Sequence, residues 1–229
     1  MKYSFSLDIQ PKTVLKRIND FQRYEIPDGF IFVAASTDLN LSYAMTTSIV
    51  AFKSDMTAIV IDHFITKVHI DQKLTETEYN RQVYNALVDL GRQIKSLGIQ
   101  INGWGVDASG APFDAVTLFA RQSMQVCGVP CCAMCGRASH IFNGFVRSRL
   151  RDAVNRTVLC GDAAENLKAG AGKKYMFWDS DMYRETAQKA FLSELGAAGS
   201  CSLYDADPEE HTEFATQFCN ERLRYIQHK

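Results

Sequence analysis

No apolar run in this 229-residue chain is longer than a β-strand. A membrane-spanning helix needs about 20 such residues, so none is expected. The opening stretch, MKYSFSLDIQPK, lacks the apolar core and small-residue cleavage pattern of a secretory leader. Neither charge is in excess: 25 Lys and Arg face 26 Asp and Glu, for a net charge of −1. That balance neither requires nor excludes nucleic acid, because a local basic stripe can sit on a neutral protein. An even cysteine set suited to a disulfide framework is also missing. Seven cysteines without a leader point to free thiols in a reducing, cytoplasmic setting. Internal repeats, low-complexity tracts and linker-like stretches are absent, so one domain over 1–229 is expected, with a core of roughly 30–226 after a mixed lead-in at 1–29. With 46% hydrophobic residues, the chain has ample material for a core.

A phosphate loop is missing as well. GAGKK (170–174) has Lys174 where Ser or Thr belongs and no G-x-x-x-x-G-K register. It reads as a basic turn, so this sequence supplies no ATPase motor of its own.

What is present is mixed α/β. IFVAAST (31–37), AMTTSIVAF (44–52) and MTAIVIDHFI (56–65) read as three strands, the last two joined by a short polar hairpin connector. Thr75 and Glu78 form a capping-box pattern. Tyr79, Val83, Ala86, Leu87, Leu90, Ile94 and Leu97 then recur at helical spacing, and Gly98 is placed to end that helix in a left-handed cap. IQINGWGVD (99–107) reads as a strand. A helix starts at Pro112, and a short strand is expected in VCGVPCCAM (126–134). Residues 136–174 read as irregular and basic, 175–181 as a strand, 183–196 as a helix, SCSLYD as a last extended segment, and 208–226 as a final helix, with His211 at its start. The order β-β-β-α-β-α-β, followed by further strand and helix, predicts an α/β fold with a mixed central sheet flanked by helices.

The acids stand out by position. Asp38 ends the first strand, Asp107 the fourth, and Asp179 and Asp181 the short strand before the 183–196 helix. If these strands are neighbours, their carboxylates gather at one edge of the sheet. Close carboxylates repel, and hard oxygen ligands suit Mg²⁺ or Mn²⁺, which relieve that repulsion. Aspartate also favours turns and caps, so Asp107-Ala-Ser-Gly reads equally as a turn and Asp179-Ser-Asp181 as a helix cap.

The strand order with carboxylates on the first and fourth strands resembles the ribonuclease H-like nucleases. Within them, the local text resembles the nuclease domain of phage large terminases, lambda-type branch. IPDGFIFVAASTDLN is similar to that family's VP-G-…-GVDVQ segment, and WGVDASG to its IDSGG segment. FWDSDMYRETAQKAFLSELGAAGSCSLY…HTEFATQFCNERL is similar to its C-terminal block. TDLN stands where VDVQ is usual, but the acid is kept.

The resemblance implies a single ribonuclease H-like nuclease domain, with three antiparallel strands followed by parallel ones. It implies a metal-dependent DNA endonuclease that cuts concatemeric viral DNA during genome packaging. Two Mg²⁺ or Mn²⁺ ions, rather than a side-chain base, would activate the water. Asp38, Asp107 and Asp181 would be the catalytic ligands, with Asp179 as the alternative third acid and Glu185 as an added ligand one turn on. Double-stranded DNA, an ATPase motor domain, the portal and a small terminase subunit are the implied partners, with no membrane. The rival readings are another ribonuclease H-like nuclease of transposase, integrase or junction-resolvase type, and a non-catalytic α/β binding module.

A basic segment supports contact with DNA. Arg137, His140, Arg147, Arg149 and Arg151 are interleaved with Phe142 and Phe145, and Lys173 and Lys174 follow. Such groups hold phosphates electrostatically. Cys127, Cys131, Cys132 and Cys135 lack the second well-separated ligand pair of a structural zinc site and read as buried free thiols. Trp104, between Gly103 and Gly105, reads as core.

Overall fold

The computed structural model describes residues 9–40, 44–71, 73–109, 113–137, 157–160 and 175–220. Their elements are α1 (Pro11–Leu15), β1 (Phe32–Asn40), β2 (Ala44–Phe52), β3 (Ala58–Lys67), α2 (Glu76–Ser96), β4 (Gly103–Asp107), α3 (Phe113–Val126), β5 (Cys131–Arg137), β6 (Thr157–Cys160), β7 (Tyr175–Asp179), α4 (Ser180–Leu192), β8 (Cys201–Leu203) and α5 (Thr212–Asn220).

The strands run β6-β7-β5-β4-β1-β2-β3-β8 across the sheet. β1 pairs parallel with β4, β4 with β5, and β5 with β7, while β6 is antiparallel to β7. Connections of three and five residues join β1 to β2 and β2 to β3, too short for anything but antiparallel neighbours. Three antiparallel strands in chain order are followed by parallel strands added on the far side of β1, the order expected from the sequence.

Two compact units divide the chain: Phe32–Ile49 with His63–Asp179, and Met1–Ile31 with Val50–Asp62 and Ser180–Lys229. In the first, alternation along the strands sends Val33, Ala35 and Thr37 of β1, Trp104 and Val106 of β4, and Ala133 and Cys135 of β5 into the core. Helices α2 and α3 pack there. The Trp104 ring meets Phe119 edge-on at 5.3 Å, and the Tyr84 hydroxyl donates to Gln122 Oε1 at 2.6 Å. A Cβ on Gly91 of α2 would lie 2.6 Å from Cys127 Sγ and 3.2 Å from Trp104 Cζ3, so only glycine lets the helix come this close. The capping box forms as read: Glu78 N donates to Thr75 Oγ1 at 3.3 Å, and Gly98 ends the helix with φ of +74°.

In the second unit, α1, α4 and α5 enclose a core of Ile9, Val14, Ala58, Val60, Phe191, Cys201, Leu203 and Ala215. The segment before β1 is built into this unit. Asn19 N donates to Leu203 O at 2.9 Å, Leu203 N to Arg17 O at 2.8 Å, and Asp205 N to Phe21 O at 2.7 Å, so residues 17–21 run along β8. No described helix is long and apolar enough to cross a membrane.

Several expectations change: β4 starts at Gly103 rather than at residue 99, β7 ends at Asp179, and Asp181 lies in α4 rather than at the end of a strand. β1 continues through Asn40, so Asp38 lies inside the strand rather than at its end. Residues 136–174 are not irregular throughout: β5 runs to Arg137, and β6 occupies Thr157–Cys160, paired with β7.

Candidate active site

The site rests on the pairing of β1 with β4. Ala34 is opposite Gly103, Ala35 opposite Trp104, Ser36 opposite Gly105, and Thr37 opposite Val106. One further step along both strands sets Asp38 beside Asp107. Adjacent strands lie about 4.8 Å apart and register partners share a face, so the two carboxylates project side by side. The same alternation puts Thr37, Trp104 and Val106 on the opposite, buried face. Asp38 is exposed and Asp107 half-buried.

The sequence GWGVD now has a physical reading. Trp and Val face the core, while both glycines lie on the acid-bearing face. A Cβ on Gly105 would come within 2.3 Å of Met134 Sδ. The bare Gly105 lets the β5 methionine lie across β4, beside the register step that carries Asp107.

Beneath the acids, Trp104 Nε1 donates to Thr37 Oγ1 at 2.9 Å, and Thr37 Oγ1 and Thr47 Oγ1 are hydrogen-bonded at 2.9 Å. These three buried polar side chains tie β4, β1 and β2 together one residue below the Asp38–Asp107 step. On the open side, Ser109 N donates to Asp107 Oδ1 at 2.9 Å. Within the described residues, the aspartate thus accepts from the backbone two residues on, as in an Asx turn.

A profile of the family described as "Terminase large subunit gpA, endonuclease domain" matches residues 4–229. The chain belongs to this family. Its role is that of a nuclease of the phage packaging machinery, a hydrolase acting on DNA. A search of curated proteins finds no match. Among solved structures, the phage P22 large terminase nuclease domain aligns at 11% identity over 92% of this chain and 87% of its own, with a TM-score of 0.34. Thermus thermophilus RuvC aligns at 12% identity over 62% of this chain and 99% of its own, with a TM-score of 0.32. The large terminase of a thermophilic bacteriophage aligns at 17% identity over 47% of this chain and 24% of its own, with a TM-score of 0.28.

The remaining acids of this terminase-family domain are placed differently from the pair. β1, β4, β5 and β7 are parallel, so their C-terminal ends lie at one end of the sheet, as the sequence pattern implied. Yet Asp179 pairs in register with Arg137, on the face shared with Phe177 and Cys135, and is fully buried. It lies on the opposite face from Asp38 and Asp107. Asp181 stands in the first turn of α4, within the other compact unit, 3.7 Å from Arg184. Glu185 pairs with Lys189 at 2.6 Å on the same helix.

Two adjacent carboxylates fit a hard divalent cation. Among the described residues no group of three or more His, Cys, Asp or Glu is placed to hold a metal ion.

Of the basic set, Arg137 ends β5 with its guanidinium over the Phe177 ring, 5.2 Å from the centroid. His140, Arg147, Arg149, Arg151, Lys173 and Lys174 lie outside the described residues. Cys127, Cys131, Cys132 and Cys135 are free thiols. Cys131 and Cys132 alternate to opposite faces of β5, and burial pushes the thiols of Cys131, Cys132 and Cys135 up. Trp104 is core, 2% exposed.

The sequence reading passed over Ser109, Gly105 and the Thr37–Thr47 pair. It also passed over Asp62, fully buried in β3, whose Oδ1 accepts from Arg23 Nε at 2.8 Å and lies 2.6 Å from Arg23 Nη2. Only an aspartate inside an apolar strand run, IVIDHFI, hinted at it.

Proposed function

We propose that this chain is a metal-dependent DNA endonuclease and that Asp38 and Asp107 hold its cation. The observation that supports this reading is the parallel register ending at Thr37 opposite Val106, which makes Asp38 and Asp107 the next residues on adjacent strands. A bound Mg²⁺ or Mn²⁺ would supply Lewis acidity toward a phosphate oxygen and acidify a coordinated water. The chain's own contribution is orientation. The Trp104–Thr37–Thr47 network fixes the strand step below the acids, and Ser109 N–H holds one oxygen of Asp107. Water adds to phosphorus and a bridging P–O bond breaks, leaving a phosphate end and a hydroxyl end.

The resemblance makes Asp181 the third acid, a role that Asp181→Asn would test in the same nicking assay. Asp179 is disfavoured by its face and burial, and Glu185 is an auxiliary acid. The basic residues beyond Arg137 would hold the phosphates of double-stranded DNA, while Arg137 itself shares the face of Asp179. The proposed setting is the cutting of concatemeric viral DNA in the host cytoplasm, within one nuclease domain acting with an ATPase motor, a portal and a small terminase subunit.

The test is Mn²⁺-dependent nicking of supercoiled plasmid. Asp38→Asn and Asp107→Asn should each abolish nicking and leave circular dichroism unchanged. Wild-type cutting by either variant defeats the assignment. Manganese should also raise the melting temperature of the wild type but not of Asp38→Asn.

A further inference from the structure

We propose that Ser109 is a positioning residue for the cation site, its hydroxyl holding the Asp107 turn to β5; this rests on the nuclease reading above. Asp107 is the last residue of β4, where the ladder ends and a side chain would otherwise sample several rotamers. Three hydrogen bonds restrain it. Ala108 N donates to Met134 O at 2.7 Å, Ser109 N donates to Asp107 Oδ1 at 2.9 Å, and Gly136 N donates to Ser109 Oγ at 3.0 Å. The last bond joins residues 27 apart in the chain. It fastens the loop leaving β4 to β5 at the residue before Arg137.

Ser109 therefore does two separable things. Its backbone N–H orients one oxygen of Asp107 and is insensitive to substitution. Its hydroxyl fixes where that N–H sits, and how far the Asp107 turn lies from the strand that ends in Arg137. Both bonds are near solvent, so removing the hydroxyl leaves Gly136 N–H to water and disturbs the fold little. Groups that hold a cation's ligands in place typically change metal affinity or activity by about 10–100-fold when removed. An exposed, neutral bond belongs at the low end of that range.

The experiment measures Mn²⁺ binding without DNA, by loss of the free-ion electron paramagnetic resonance signal, and nicking as a function of Mn²⁺. In Ser109→Ala the Kd for Mn²⁺ should rise about tenfold. The Mn²⁺ concentration for half-maximal nicking should rise in parallel, while the rate at saturating Mn²⁺ changes less. Ser109→Thr keeps an acceptor oxygen and should restore both values. Unchanged Mn²⁺ affinity in Ser109→Ala overturns the proposal, as does a Thr variant as weak as Ala. Failure of the wild type to bind Mn²⁺ at all would remove the nuclease reading itself, which is a different result from wild-type binding with a silent Ser109→Ala.

Discussion

Trp104 Nε1 donates to Thr37 Oγ1 at 2.9 Å across the β1–β4 seam, and Thr37, the register partner of Val106, is followed by Asp38 as Val106 is by Asp107. A hydrogen bond between two buried side chains permits one register and penalises its neighbours. A slip of a single residue would turn Asp38 into the core and Thr37 outward. The buried polar pair and the two aspartates are thus two faces of one decision about strand alignment.

Thr37→Val tests the buried side of that decision. It removes the acceptor for Trp104 Nε1, which is enclosed, and leaves an indole N–H without its bond. The expected loss is about 1–3 kcal/mol, read as a lower midpoint in urea with little change of slope. Thr37→Ser keeps the oxygen and should lose less. Equal stability of Thr37→Val and wild type would mean that the bond does not select the register.

Gly91→Ala should be costly despite alanine's better helix propensity. The added methyl would stand 2.6 Å from Cys127 Sγ and 3.0 Å from Cys127 Cβ, with the Trp104 ring behind it at 3.2 Å. Overpacking of this kind typically costs about 1–3 kcal/mol. Cys127→Ala in the same chain removes the nearest atom and should recover part of the loss. Thermal melts of the two single variants and the double variant measure the coupling, and simple additivity would refute this packing account.

The sequence made the elements legible because their signals are local. A capping box, a 3.6-residue stripe and a two-residue alternation each lie within a few turns of chain; α2 and β2 formed where those signals pointed, and β4 and β7 over part of their expected spans. It also exposed Asp38 and Asp107 as acids in strands. What it could not give was facing. Asp179 looks like its counterparts in the text, but its pairing with Arg137 sends it to the other side of the sheet, a fact set by register between distant segments. Asp62 was hidden for the same reason, since its partner Arg23 lies 39 residues away and nothing near IVIDHFI announces it. Ser109 looked like an ordinary turn residue because its second bond reaches Gly136.

The Arg23–Asp62 pair gives a third expectation. Asp62 is fully buried, whereas the Arg23 side chain is 39% exposed and lies between Tyr24 and Tyr204, 5.1 and 5.5 Å from their ring centroids. Arg23→Ala strips the buried carboxylate of its cation. Breaking a fully buried pair costs about 3–5 kcal/mol, and solvent access to Arg23 lowers the expectation to roughly 2. Adding Asp62→Asn removes the stranded charge and should return part of that stability. A double variant weaker than the sum of the singles would show that Asp62 needs its charge for another partner.

His211 supplies a pH dependence whose sign follows from its surroundings. It is fully buried at the start of α5, edge-on to Tyr204 at 4.5 Å, and its Nε2 is 3.0 Å from the Tyr204 carbonyl. A carbonyl only accepts, so Nε2 carries a proton. Burial holds the imidazole below its ordinary 6.5, against the opposing pull of the Tyr204 carbonyl and Glu210, while Arg23 adds to the lowering. The unfolded imidazole takes up a proton near pH 6.5, whereas the folded one waits for lower pH. Below about pH 6.5 the unfolded chain therefore binds more protons, and the stability contributed by neutral His211 declines as pH falls toward its folded value. Above that range the contribution is constant. His211→Asn should be less stable than wild type at about pH 7.5, and the gap should narrow by about pH 5.5. Urea midpoints of both proteins at the two pH values measure this; a gap that widens on acidification would mean that the folded protein prefers the imidazolium.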